Sequence, residues 1–306
     1  MSMAPSVIRV IDILDAPRVG EEDIEQLVSG CREASIHFER LKGEKGETLF
    51  TKIVFDFGGG RGIGIIGRLG GVGARPHLIG MVSDADGAIV ALAVAEKLGR
   101  MCSRGEELMG RFVIATHIST NSPIRPEKPA PMMDSPVDLD QLLMREVDES
   151  VDAHISIDAT KGNKVIKIRG FAITPVVVRG WILRPTEEVL EIYSWIAGRP
   201  PILVPITMQD IVPFSTPVKH INSILQPWLY TDTPVMGVAI TSESVIPGSA
   251  TGVTDLSSLE PASRFVLEIA KKYTSRSIEI YYENEYQTLL KYHGDLKEIM
   301  SRRVRS

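Results

Sequence analysis

Polar side chains end five apolar, β-branched segments of this chain. The segments are LIGMVSDADGA, RFVIATHIST, AHISIDATKG, ILVPITMQDI and PVMGVAITSES, and each changes from aliphatic residues to Asp, His or Thr within a few positions. In an open α/β sheet, strand ends from distant parts of the chain meet at one edge, where ligands of such folds bind. The sequence therefore predicts a ligand site at a sheet edge before it indicates any reaction.

Two of these carboxylates, Asp84 and Asp86, stand between a predicted strand and the predicted helix DGAIVALAVAEKLGRM. One of them is expected to cap the helix, because an N-cap carboxylate accepts backbone N–H bonds and favours the positive helix end. Two acids one residue apart do not both cap one turn, so the other could act as a metal ligand or general base. We interpret Asp84 as a candidate metal ligand and Asp86 as a candidate catalytic residue.

His117 and Asp158 end two further predicted strands. A lone histidine at such a position is commonly a hydrogen-bonded structural residue, which is the alternative interpretation. Together with Asp84, however, these two side chains would supply the nitrogen and oxygen donors that a zinc, manganese or iron site uses. The sequence predicts a divalent metal ion at Asp84, His117 and Asp158.

Other polar residues near the strand ends are candidates for substrate binding. Thr160 and Lys161 follow Asp158 in a loop that could contact an anion or carboxylate. Turn and cap chemistry is the alternative for the candidates after the strand ILVPIT. The complete set of substrate-binding candidates is Arg75, Thr160, Lys161, Gln209, Asp210 and His220.

Gly62, Gly64 and Gly67 match the dinucleotide pattern GxGxxG. That fingerprint needs a helix that opens on the glycines, whereas more glycines and Pro76 follow here. We therefore expect a glycine-rich loop that serves packing or an anionic ligand, and no nucleotide cofactor. The sequence also lacks a GxSxG nucleophile elbow, a Walker loop and an HExxH motif.

The composition excludes several classes of protein. The chain has 306 residues, 43% hydrophobic content and a formal net charge of -5, so it can bury a large core and offers no basic surface to nucleic acid. Cys31 and Cys102 are too few for a disulfide framework, and we interpret them as thiols in a reducing compartment. Because the sequence has neither a signal-peptide pattern nor a membrane-spanning apolar stretch, we expect a cytoplasmic protein without a membrane partner.

Alternating strand and helix patterns favour a single α/β domain over residues 1–306 with a mixed central sheet. Two strands are predicted to meet antiparallel across Arg169 and Gly170, and ILVPIT is predicted as another strand. The predicted helices include residues 137–147, 186–197, 220–225 and 257–273 and a charged C-terminal helix from about 278 to 303. Tyr281, Tyr282 and Tyr286 near that last helix could belong to a subunit contact, which would make the protein a homo-oligomer.

Two resemblances add to these predictions. The strings GRLGGVGARPHLIGMVSDADGAIVALA, SIDATKGNKVIKIRGFAITP, HINSILQP and PGSATGVTD resemble the uncharacterised family DUF1177 over nearly the whole chain. The order of elements more distantly resembles the two-zinc aminopeptidases of the glutamyl and leucyl type. In that resemblance, Asp84 and Asp158 match two ligand positions.

The chain also departs from the aminopeptidase pattern. The expected glutamate pair is replaced by Thr116, His117 and Ile118, and the last expected histidine is missing from SESVIPGSATG. These departures remove the residue that would activate water in a two-metal hydrolysis. The resemblance thus implies an α/β fold, a three-layer sandwich with a mixed, mostly parallel central sheet, more strongly than it implies a peptidase.

Two functional hypotheses follow from the sequence. The first is a metal-dependent hydrolase that acts on a small amide or amino-acid-like substrate at the sheet edge. The alternative is a non-catalytic protein that binds a small anion or metabolite through the glycine-rich loop, Lys161 and Arg75. Both hypotheses give the protein a small-molecule ligand.

Overall fold

The computed structural model describes residues 2–68, 70–128, 131–213, 216–246 and 254–298. The strands are β1 (Ala34–Gly43), β2 (Gly46–Asp56), β3 (Gly62–Gly67), β4 (Arg111–Ile118), β5 (Ile124–Arg125), β6 (Met132–Met133), β7 (Ala153–Ala159), β8 (Gly170–Val178), β9 (Trp181–Leu183) and β10 (Val235–Thr241). The α-helices are α1 (Ala4–Leu14), α2 (Glu21–Glu25), α3 (Asp86–Ser103), α4 (Leu139–Glu146), α5 (Glu187–Ala197), α6 (Leu256–Thr274) and α7 (Glu283–His293). Short 3-10 helices cover Ser83–Ala85 and Gln226–Tyr230.

Eight strands form one mixed sheet in the order β1-β2-β4-β3-β7-β10-β8-β9. The four central strands, β4, β3, β7 and β10, pair in parallel, and the outer strands on both sides pair antiparallel. Because parallel strands end at the same edge, the sheet brings the ends of β3, β4, β7 and β10 together. This arrangement confirms the predicted mixed sheet and the sheet edge on which the sequence analysis placed a site.

Helices cover both faces of the sheet, which makes the fold a three-layer sandwich. Ile114 and Val238 belong to the larger core with α1, α3, α5 and α6. Their neighbours along the strands point the other way: Ala115 packs with α4, and Ala239 packs with the 3-10 helix that contains Trp228. This alternation is the period-two pattern expected of strands that are buried on both faces.

Helix α3 is the innermost helix, and nearly all of its residues are buried. Its first turn lies unusually close to the sheet because two glycines face each other. A Cβ on Gly87 would lie 2.5 Å from the carbonyl oxygen of Arg68 and 2.6 Å from that of Ile157, and a Cβ on Gly67 would lie 2.7 Å from the carbonyl oxygen of Gly87. The start of α3 therefore rests directly on the ends of β3 and β7.

The three glycines of the GxGxxG match lie in strand β3, not in a loop as predicted. A Cβ on Gly64 would collide with the His154 ring, and a Cβ on Gly62 would lie 2.8 Å from the Cα of Val151. The packing function expected of these glycines is thus found, although within a strand. Their spacing reflects three separate close contacts of one buried strand.

Several predicted elements differ in the structure. The antiparallel turn lies at Arg179 and Gly180, which both have positive φ (48° and 88°), and not at Arg169 and Gly170. The segment ILVPIT forms only an isolated bridge between Leu203 and Ile173, and residues 220–225 are not helical. Helix α1 was not predicted at all. In place of one charged C-terminal helix, the structure has α7 and a further helical segment at 296–298, separated by Gly294 and Asp295, and the end of the predicted range, residues 299–303, lies outside the described residues.

Other predicted elements are confirmed. Helix α4 lies within residues 137–147, and α6 matches the predicted helix closely. Helix α5 begins as expected after Thr186, whose hydroxyl caps the backbone N–H of Val189. Among the described residues, no helix combines the length and apolar character needed to cross a membrane.

The two cysteines are not free thiols, which corrects the interpretation of the sequence. Cys31, in the loop after α2, is disulfide-bonded to Cys102, near the end of α3. The two residues are 71 positions apart in the chain, so the pairing depends on the fold and could not be derived from their spacing. The bond joins the loop before β1 to the central helix.

The contact between α3 and the sheet can be tested with Gly87→Ala. Although alanine favours helices, its Cβ would collide with the backbone carbonyls of Arg68, which follows β3, and of Ile157 in β7. We expect a loss of about 1–3 kcal/mol in the free energy of unfolding, measured by urea denaturation. Gly20→Ala is the control, since a Cβ there meets its nearest atom at 3.7 Å. Equal stability of the two variants would contradict the close contact.

Candidate functional site

The parallel register places the ends of β3 and β7 side by side. Gly67, the last residue of β3, pairs with Ile157, and the backbone N–H of Arg68 donates to the Ile157 carbonyl at 2.8 Å. Arg68 thus follows β3 at the level where Asp158 ends β7. The 3-10 helix before α3 adds Asp84 to the same edge, since both Asp84 and Asp158 line one cavity.

Six ionisable side chains at this edge form what we call the buried charge cluster. Each of them is at most 5% exposed. Its members are Arg68, Asp84, Asp86, Glu146, Asp158 and Lys161. The cluster contains two more carboxyl groups than cations, and such an imbalance is costly in a protein interior unless protons or a bound cation reduce it.

Two ion pairs hold the cluster together. The Nζ of Lys161 lies 2.5 Å from Oδ2 of Asp86, the first residue of α3. The Nε of Arg68 lies 3.8 Å from Oε2 of Glu146, the last residue of α4. The first is a direct contact, whereas the second is too long for a hydrogen bond. The pairs connect the strand edge to the helices on opposite faces of the sheet.

Burial raises the pKa of three carboxyl groups of the cluster. Burial raises the pKa of Asp158 to about 7; Arg68 opposes this shift, and Glu146 and Asp86 add to it. Burial also raises the pKa of Asp86 to about 6 against the opposing effect of Lys161. The pKa of Glu146 is raised by burial and lowered in part by Arg68. The two cations therefore compensate the cluster only partially.

His117 has no ring nitrogen available for a metal ion in this structure. Its Nε2 accepts the backbone N–H of Gly70 at 3.0 Å, so its Nδ1 carries the proton and donates to Oγ1 of Thr48 at 3.0 Å. Burial lowers the pKa of His117 to about 3, and the positive charge of Arg68 contributes. His117 is therefore a neutral, hydrogen-bonded residue, as in the alternative interpretation of the sequence.

The predicted ligand set of Asp84, His117 and Asp158 does not assemble. In the described part of the chain, the only three His, Cys, Asp or Glu residues with ligand atoms within 4.8 Å of one another are Cys31, Glu33 and Cys102. In that group the two cysteines are bonded to each other. The residues at the sheet edge thus do not fit the predicted metal ion, because their nitrogen donor is occupied and two side-chain cations already face their carboxylates.

A cavity of about 700 Å³ opens beside the cluster. Asp84 and Asp158 form part of its wall, and a smaller cavity of about 140 Å³ shares Asp84. Thr160, Lys161 and His220 also line the larger cavity, as does Asn222, whose side-chain amide donates to the Thr160 hydroxyl. Three of the substrate-binding candidates therefore lie on one wall, and their binding role stays a prediction.

Four other candidates lie elsewhere. Asp86 is completely buried against Lys161 and does not line the cavity, so it has no access to a substrate. Arg75 donates to the carbonyl oxygen of Asp15 at 2.8 Å, away from the cavity wall. Asp210 accepts hydrogen bonds from Thr207 and from the backbone of Ile221. Asp210 and the exposed Gln209 thus belong to a turn. Turn chemistry was the alternative interpretation of these two residues.

Sequence reasoning missed Arg68 and Glu146. Arg68 is the first charged residue after the apolar strand β3, but the GxGxxG match directed attention to the glycines around it. Glu146 follows the buried Leu142 and Leu143 at helical spacing, so an acid on the apolar face of α4 was the available signal. Much of the segment SESVIPGSATG, where a histidine is missing from the aminopeptidase pattern, lies outside the described residues, which omit 247–253.

Family comparison agrees with the resemblance found in the sequence. The family described as "Protein of unknown function (DUF1177)" matches residues 39–303, which is most of the chain. The chain belongs to the DUF1177 family. No curated protein sequence matches this DUF1177 chain.

Solved structures share the fold of the DUF1177 chain. The bottromycin maturation enzyme BotP has a TM-score of 0.52 at 14% identity and covers 87% of this chain and 70% of its own. The cytosol aminopeptidase of Coxiella burnetii has a TM-score of 0.52 at 12% identity, with 88% and 69% covered. A glutaminyl cyclase from an Acidobacteriales bacterium has a TM-score of 0.50 at 12% identity, with 90% and 94% covered. These similarities confirm the predicted aminopeptidase-like fold.

The charge imbalance can be tested with Asp158→Asn in buffer that contains a chelator. The pKa of Asp158 is raised from 3.8 to about 7, so ionisation of this carboxyl destabilises the folded protein as the pH rises through that interval. The amide keeps the shape and removes the charge. We expect the variant to gain roughly 2–4 kcal/mol in the free energy of unfolding at about pH 8, and the gain to disappear at about pH 4.

Asp148→Asn is the matched control for this experiment. Asp148 accepts hydrogen bonds from Lys52 and Ser150, which contribute to a lowered pKa despite the opposing effect of burial. The stabilising effect of its charge is present above the ordinary pKa of aspartate and is lost as the pH falls through the lowered value. The control variant should therefore be less stable than the wild type at neutral pH. Loss of stability in both variants would argue against an excess of negative charge around Asp158.

Proposed function

We propose that this chain is a hydrolase that acts on a small amide or amino-acid-like substrate in the cavity where β7 ends. One observation carries the proposal. Asp158 is completely buried and lines the cavity, and among the described residues no side chain donates a hydrogen bond to its carboxylate oxygens, so that only the backbone N–H of Ala159 interacts with them. A buried carboxylate without a side-chain donor is costly to maintain, and such groups are concentrated at functional sites.

Asp158 would act as the general base. A base works best when its pKa is close to the working pH, and the raised pKa of Asp158, about 7, meets that condition. It would take a proton from a water molecule in the cavity as that water attacks the substrate carbonyl carbon, and then return the proton to the leaving amine. No step in this scheme involves a metal ion, because the residues present do not fit one.

The excess of carboxyl groups indicates the charge of the substrate. A ligand with an ammonium group next to Asp84 and Asp158 would reduce the imbalance of the cluster and displace the proton that Asp158 otherwise keeps. The cavity volume of about 700 Å³ lies within the usual range for small-molecule sites. An amino-acid amide or a short peptide has both the ammonium group and a bond to hydrolyse.

The structural neighbours support the same chemical class. An aminopeptidase and a glutaminyl cyclase are among them, and these names agree with an amide-type, amine-bearing substrate. The alternative of an anion-binding protein relied on Lys161 and Arg75, and both cations are paired within the chain, with Asp86 and Asp15 respectively. A homo-oligomeric state, a cytoplasmic location and the lack of nucleic-acid or membrane partners stay predictions.

The proposed activity can be tested with a panel of amino-acid amides and dipeptides, with products identified by mass spectrometry. We expect turnover of at least one substrate class and a fall in kcat of about 10²-fold or more in Asp158→Asn, since this is the usual contribution of a general base. Asp148→Asn, a change at a residue that does not line the cavity, should keep the wild-type kcat. Tight binding of panel members without turnover by the wild type would contradict the hydrolase and support a binding protein instead.

A further inference from the structure

Arg68 is a buried member of the cluster and not a surface cation. Its side chain is only 2% exposed, and its Nε and Nη1 have no hydrogen-bond partner among the described residues. Its charge acts on three different groups, since it lowers the pKa of Asp158, Glu146 and His117. A residue in this position supplies positive charge to the interior of the cluster without closing it by bidentate pairing.

Lys161 compensates the other side of the cluster. The loop after β7 returns toward the sheet edge and brings the ammonium group, 4% exposed, to 2.5 Å from Oδ2 of Asp86. Asp86 begins helix α3, so its carboxylate also benefits from the positive end of that 18-residue helix. Lys161 therefore compensates the charge of Asp86, and it also lines the cavity.

Four buried carboxyl groups at one sheet edge would ordinarily bind a hard divalent cation through their oxygens. We infer that Arg68 and Lys161 take the place of such a cation, so that this site operates without a divalent metal ion. Each of the two cations faces a carboxylate that a metal would otherwise use, namely Glu146 and Asp86. Both would repel an ion bound between Asp84 and Asp158 through a medium of low dielectric constant.

Arg68 and Lys161 are then positioning residues that act through the carboxylates of the cluster. Their role sets the metal requirement of the site and is independent of whether the substrate is hydrolysed. An ordinary structural ion pair would lose stability on mutation and gain nothing. Here, removal of one cation should leave more of the carboxylate oxygens uncompensated, which is the condition for binding Mn²⁺ or Mg²⁺.

The test measures binding of Mn²⁺ to the full-length protein by electron paramagnetic resonance, with metal content after dialysis as a second measurement. The wild type should bind Mn²⁺ no better than Asp158→Asn does. Arg68→Met and Lys161→Met should each gain saturable binding that is at least tenfold tighter than in the wild type. The variants Arg68→Lys and Lys161→Arg keep the charge and should not gain binding.

The double variant Asp86→Asn/Lys161→Met controls for damage to the fold. It removes a carboxylate together with its cation, so it should recover the melting temperature lost in Lys161→Met and should bind less Mn²⁺ than that variant. Saturable Mn²⁺ binding by the wild type that Asp158→Asn abolishes would overturn the inference. Folded Arg68→Met and Lys161→Met proteins that gain no Mn²⁺ binding would also overturn it. Neither result depends on an enzymatic assay, so the proposed hydrolase activity stands or fails separately.

Discussion

The rest of the site depends on incomplete compensation of buried negative charge. The two cations, Arg68 and Lys161, share a cluster with two more carboxyl groups than they can neutralise. Burial raises the pKa of Asp158 to about 7, Glu146 and Asp86 add to the shift, and Arg68 and the backbone N–H of Ala159 oppose it only in part. No side chain of the described residues donates a hydrogen bond to the Asp158 carboxylate beside the open cavity. A fully balanced cluster would be a structural salt-bridge network, whereas this one keeps a carboxyl group that can exchange a proton near neutral pH.

The fold maintains this costly arrangement through close backbone contacts. Gly67 and Gly87 allow the first turn of α3 to rest on the ends of β3 and β7, so that Asp86 is held inside the protein next to the strand ends. Helix α4 brings Glu146 from the opposite face of the sheet. The cluster therefore joins all three layers, and its members cannot separate without opening the core.

Local sequence patterns predicted much of the fold and part of the site. The apolar segment ending in Asp158 was sufficient to place that residue at the sheet edge, because parallel strands with helical connections leave few alternatives. The strand predicted before Asp84 was wrong, since LIGMVS forms only an isolated bridge between Gly73 and Met81, and Asp84 reaches the same edge from a 3-10 helix. Patterns could not reveal the state of His117, since its hydrogen-bond partners Thr48 and Gly70 are 69 and 47 positions away in the chain. The same limit applies to the pair of Arg68 and Glu146, whose contact exists only after α4 has packed on the sheet.

The titration of Asp158 itself shows whether the two cations compensate the cluster. Aspartate labelled with ¹³C at the side-chain carboxyl carbon can be followed by NMR from acidic to alkaline pH. The Asp158 signal can be assigned by its loss in Asp158→Asn. An uncompensated carboxyl group in the cluster should titrate at a pH of about 7. Titration at the ordinary aspartate value of 3.8 or below would mean that Arg68 and Lys161 balance the cluster completely, and it would contradict this account of the site.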